Sequence, residues 1–95
     1  MIRQRWFGAT GQRVPELAVE GDPEVPADQA LVLDDVSDER RLQDEYAKGT
    51  PIVVRARTAD EIRRALARPE VAAVVVPASE RELLELDLTE LTYGH

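Results

Sequence analysis

The chain has no cysteine, a single histidine, a single lysine and four aromatic side chains in 95 residues. Without cysteine there is neither a disulfide framework nor a thiolate metal site. The one histidine is His95, at a chain terminus, where a side chain is held too loosely for general-base work. The Ser–His and Cys–His pairs that drive nucleophilic catalysis are therefore not expected, and a catalytic function would have to rest on Asp, Glu and Arg. Positive charge is also scarce. Lys plus Arg number 12 against 19 acidic residues, a net charge of −7. Nucleic acid phosphates would be repelled by such a surface, so generic nucleic-acid binding is excluded. No apolar run is long enough to cross a bilayer, and no apolar segment of a secretory leader follows Met1-Ile2-Arg3-Gln4-Arg5. A cytoplasmic location is the expectation.

What is there is clearest from Gly49 to Pro77. Ile52-Val53-Val54 is a β-branched run, which packs well on a pleated surface, and Arg55-Ala56-Arg57 extends it with alternation. Thr58 stands three residues before Glu61, the spacing of a capping box. Ala59, Ile62, Ala65 and Leu66 then recur at helical spacing, and Pro69 closes the helix. Val71 to Val76 is apolar on both faces, as in a central strand covered on both sides. The segment from 57 to 71 has room for one crossover helix, so the stretch predicts a right-handed parallel β-α-β unit.

The remainder arranges itself around that unit. Ile2–Phe7 and Gln12–Val14, joined by Gly8-Ala9-Thr10-Gly11, predict a hairpin interrupted at Pro15. The glycine pair is not a phosphate loop, because no Gly-Lys-Ser/Thr ending and no helix follow it. Leu17-Ala18-Val19 is an apolar run of undecided type, and residues 21–26, with two prolines and a glycine, form a loop. Ala30–Leu33 predicts a strand apolar on both faces. Ser37 is placed to cap a helix from Asp38 to about Lys48, with Leu42 and Tyr46 as its apolar stripe and Gly49 as its end. Ser79 and Glu82 repeat the capping-box spacing, with Leu83 and Leu84 expected to face inward. Residues 84–92 fit both a strand and a helix; the expectation is a helix ending near Leu86 and then an extended tail.

The expected fold is a single α/β domain: an N-terminal hairpin and loop (1–29), a β-α-β-α-β-α core (30–86) with three parallel strands at the centre of a mainly parallel sheet, and a tail (87–95). In outline residues 30–86 are similar to the second half of a bacterial receiver domain. There too a strand ending in Asp leads to a helix, a Thr-Pro-led strand, a helix, and a strand ending before a proline and a Glu-Leu-Leu helix. The resemblance implies a flavodoxin-like layout and no more. Val76 stands where receivers carry lysine, Arg55 where they carry Ser or Thr, and their first acidic pair has no counterpart, so phosphoacceptor chemistry does not come with it.

Ligands of open α/β sheets gather beyond the carboxyl ends of the strands. Those ends carry Asp34, Asp35, Arg55 and Arg57, which as a site would hold Mg²⁺ on the aspartates or phosphate on the arginines, and as structure form a rim salt bridge. Trp6 and Phe7 near one terminus, and Leu88 and Leu91 near the other, are the candidate interface residues, although in a chain with four aromatics Trp6 and Phe7 fit the core equally well. No cofactor, metal site or catalytic residue is expected. Two functions follow: a small acidic interaction protein without catalysis, acting by protein–protein contact or self-association, or a domain binding a small molecule or phosphate at the Asp34–Arg57 rim, with or without carboxylate-based catalysis there.

Overall fold

The computed structural model describes residues 4–85. An antiparallel hairpin, β1 (Gln4–Trp6) and β2 (Arg13–Pro15), precedes a four-stranded parallel sheet of β3 (Leu17–Val19), β4 (Leu31–Leu33), β5 (Ile52–Arg55) and β6 (Ala73–Val76). The spatial order is β3-β6-β5-β4, with Leu17 opposite Val74, Val54 opposite Val74, and Leu33 opposite Val54. Helices α1 (Glu39–Ala47) and α2 (Ala59–Leu66) form the β4–β5 and β5–β6 crossovers. Short 3-10 turns span Ala27–Gln29 and Ala78–Glu85.

Strand alternation divides the core in two. Leu17, Ile52, Val54, Val74 and Val76 face the helices and pack with Leu42 of α1 and Ile62, Ala65 and Leu66 of α2. Ala18, Val53, Ala73 and Val75 face the other way, toward Phe7 and Val14 of the hairpin and Val25 of the loop after β3. Both faces of β6 are buried, as its unbroken apolar sequence requires. The hairpin face is lined by alanines and valines, which let the Phe7 ring and the hairpin backbone approach closely.

The parallel order explains which cover lies on which face. The chain crosses from β3 to the far edge at β4, then winds back through β5 to β6. A right-handed crossover that moves one way along the sheet covers one face, and one that moves the other way covers the opposite face. Both helices therefore lie on one side, while the β3–β4 connection, bearing Val25 and Ala30, lies on the other.

Several sequence expectations are corrected. Leu17–Val19 is a strand, so the sheet has four parallel strands and begins within the segment expected to be only hairpin and loop. Pro15 does not interrupt β2 but ends it, opposite Gln4 at the open end of a two-stranded ribbon, where its missing N–H breaks no ladder. The strand expected over Ala30–Leu33 is β4, at the sheet edge and only half-buried. The cap of α1 is Asp38, whose carboxylate accepts from the Arg41 amide at 3.0 Å, because Ser37 is drawn to Asp35 instead. The α2 box forms with a shift: the Glu61 amide donates to Thr58 Oγ1 (3.1 Å), while the Glu61 carboxylate accepts from the amide of Arg57, one residue before the cap (2.7 Å). Ser79 makes no such box, and the 78–85 segment is a pair of 3-10 turns kinked at Glu80. Leu83 and Leu84 do pack against the helical side of the core. The expected tail lies outside the described residues.

A buried ion pair fastens the hairpin to the rest. Glu16, between β2 and β3, is fully buried, and Arg5 Nε donates to its Oε2 at 2.9 Å. The same guanidinium donates to the carbonyls of Leu66 (2.7 Å), Val71 (3.0 Å) and Arg68 (3.3 Å). It thus neutralises the carboxylate and satisfies carbonyls at and beyond the C-terminus of α2, where the helix dipole favours a cation.

Candidate functional site

Alternation also builds the rim. Counting two residues on from Ala18, Val32 and Val53, which share the hairpin face, gives Glu20, Asp34 and Arg55. Arg55 donates from Nε to Asp34 Oδ1 at 2.9 Å, with Nη2 at 2.8 Å from the same oxygen. Its Nη1 lies 3.7 Å from Glu20 Oε1, an ion pair beyond good hydrogen-bond length. One guanidinium on β5 thus spans carboxylates at the ends of the two edge strands. Arg57, two residues further, has a guanidinium without an ion pair or hydrogen bond among the described residues. Glu20, Asp34, Arg55, Arg57, Glu61, Val75 and Pro77 line a cavity of about 430 Å³.

Of the four predicted rim residues, Asp34, Arg55 and Arg57 meet in this cavity. Asp35 does not; it lines an adjoining cavity of about 350 Å³ with Ser37, Val54 and Arg64. Its carboxylate accepts from Ser37 Oγ (2.8 Å) and from the Ser37 amide (3.1 Å). Those two bonds, the hydroxyl first, hold the Asp35 carboxyl below the usual carboxylate range against a smaller opposing effect of desolvation. The aspartates are therefore not a chelating pair, and among the described residues no group of three or more acidic or histidine side chains is arranged to hold a metal ion.

Glu20 and Glu61 are rim residues that the sequence reading missed. Glu20 was hidden because β3 was not recognised, yet Leu17-Ala18-Val19-Glu20 repeats the three-apolar-then-acid pattern of Leu31-Val32-Leu33-Asp34.

A second feature lies at the opposite, amino-terminal end of the strands. Trp6, 59% exposed, and Tyr46, 54% exposed, are the large hydrophobic side chains left in water among the described residues. Both line one groove of about 540 Å³, with Gln4, Arg5, Gly8, Pro69, Glu70 and Val71. The Arg13 guanidinium sits 4.8 Å from the Trp6 ring centroid, a cation–π contact that steadies the ring. Tyr46 was expected on the buried stripe of α1, but α1 runs back toward the amino ends of the strands and only Leu42 is buried in it. Its last turn carries Tyr46 to the groove instead. Phe7, for which interface and core were both open, is fully buried in the hairpin-side core, since successive residues of an extended segment face opposite ways. Leu88 and Leu91 lie outside the described residues. No helix among the described residues is long and apolar enough to cross a membrane.

No protein-family model, no curated protein and no solved structure matches this chain.

Proposed function

We propose that this chain is a non-catalytic interaction protein, an acidic subunit, adaptor or regulator that acts in the cytoplasm by binding protein, a second copy of itself included. The observation that carries this reading is the pairing of Trp6 and Tyr46 on one groove. Aromatic side chains in a concave, partly apolar patch are the residue types that anchor protein interfaces. The Trp6 ring is steadied by Arg13, and the Tyr46 backbone is fixed in a capped helix, which lowers the ordering cost of docking. The edge of β4, with no further strand paired to it among the described residues, is a second place where another chain could add.

Light scattering of the purified chain, beside a Trp6→Ser/Tyr46→Ser variant, tests the reading. Self-association gives a dimer mass that the variant loses. It strengthens with added salt, because two chains of net charge −7 repel each other until screened. If the chain is a monomer, the immobilised protein should retain from native extract a partner that the variant does not retain. A monomer that captures nothing rejects the proposal.

A further inference from the structure

We infer that the cavity at the carboxyl ends of the parallel strands is a binding site for a small zwitterion, a free α-amino acid. Its position is the first argument. β3 and β6 are neighbours, yet the chain leaves β3 over the hairpin face, through Val25 and Ala30, and leaves β6 over the helical face, through Leu83 and Leu84. Adjacent parallel strands whose connections part to opposite faces open a crevice beyond their carboxyl ends, the usual ligand position in such sheets. Glu20 follows β3 and Pro77 follows β6, and both line the cavity.

The charge inventory selects the ligand. Three carboxylates (Glu20, Asp34, Glu61) and two guanidinium groups (Arg55, Arg57) line the cavity. Asp34 and Arg55 are committed to each other at 2.8–2.9 Å. Glu61 is committed to the Arg57 amide at 2.7 Å. The groups with spare capacity are Arg57, whose guanidinium has no partner among the described residues, and Glu20, reached by Arg55 only at 3.7 Å. One free cation and one loosely held anion complement a ligand carrying one of each: a carboxylate for the planar fork of Arg57 and an ammonium for Glu20. A phosphate, which carries more than one negative charge at neutral pH and no positive one, would find a single spare guanidinium among the described residues and be repelled by Glu20 rather than paired with it. Among the described residues no aromatic side chain lines the cavity to stack a nucleobase. Its volume of about 430 Å³ is that of a small-molecule site.

The test is a backbone-amide NMR titration of the full chain with glycine, L-alanine, L-leucine, L-glutamate and L-lysine. N-acetyl-L-alanine, L-alaninamide and inorganic phosphate are run beside them. At least one amino acid should shift the amides around Glu20, Arg57 and Val75 saturably. Removing either charge of the ligand should weaken binding by about tenfold or more, and so should Arg57→Gln or Glu20→Gln. Both side chains are exposed, so the variants keep the wild-type spectrum elsewhere. Absence of saturable shifts with all five amino acids overturns the inference. So does tighter binding of phosphate, which would make this an anion site, or equal binding by the variants. None of these substitutions touches Trp6 or Tyr46, so the outcome is independent of the interaction reading.

Discussion

At the scale of single residues, Arg5 ties the hairpin to the far end of α2. It meets a fully buried carboxylate and three carbonyls 61 to 66 residues away in sequence. Arg5→Ala withdraws one cation from the buried Glu16, and breaking a buried pair costs up to about 3–5 kcal/mol. A domain of this length has a total stability on the order of 5–14 kcal/mol. Urea denaturation should therefore show a large fall in midpoint, with part recovered when Glu16→Leu is added. A variant as stable as wild type would show that the hairpin does not need this bond. Asp35 makes a prediction with a definite sign. Its carboxyl is held below the ordinary value by Ser37, so the bonded turn persists above the unfolded-state value and is lost as pH falls through the lower, folded one. Ser37→Ala removes the larger of the two causes and should raise the Asp35 pKa, read from its carboxyl carbon in an NMR titration. An unchanged pKa would contradict the assigned cause. None of the Arg5 contacts was legible in the sequence, because propensity and periodicity report neighbours along the chain and these partners are remote. Gly8 was legible only in part. The turn could be read, but not that a Cβ there would come within 2.5 Å of the Gly49 carbonyl at a backbone φ of 55°.

At the scale of elements, legibility follows length and continuity of pattern. β5, α2 and β6 could be read because Ile52-Val53-Val54, the Thr58–Glu61 spacing and Val71–Val76 each give several residues of one signal. β3 has three residues between a proline-bearing strand and an acidic loop, too few for alternation to show, and its pairing with β6 lies more than 50 residues away. That omission removed Glu20 from the expected site. The extent of α1 was legible, ending at Ala47 before Gly49, but the covering of its stripe was not: a helical stripe indicates which face is apolar, not how far the sheet beneath it extends, so Leu42 is covered and Tyr46 is not. The strongest test at this scale is β6. Val74 is fully buried and paired between Leu17 and Val54. Val74→Asp places a carboxylate there without a partner, a cost of several kcal/mol. We expect loss of the cooperative thermal transition or aggregation. A soluble variant that melts like wild type would refute the central position of this strand.

At the scale of the whole molecule, the two ends of the parallel sheet carry different surfaces. The carboxyl end holds a charged cavity around Arg55 and Arg57, and the amino end holds the exposed Trp6 and Tyr46. The first was legible from a general rule about strand ends; of the second, Trp6 was legible as a candidate contact but its pairing with Tyr46 was not, because the two come together only through the docking of the hairpin tip beside Gly49. An interaction protein of this kind must have that groove covered by a partner. The chain has one tryptophan, so its fluorescence reports on the groove alone. The measurement is the emission maximum and acrylamide quenching of Trp6 as the chain is concentrated, or titrated with the partner recovered from extract. A blue shift and loss of quenching in step with complex formation is the predicted result. A complex that forms while Trp6 emission stays at its water-exposed maximum and remains fully quenched would contradict it.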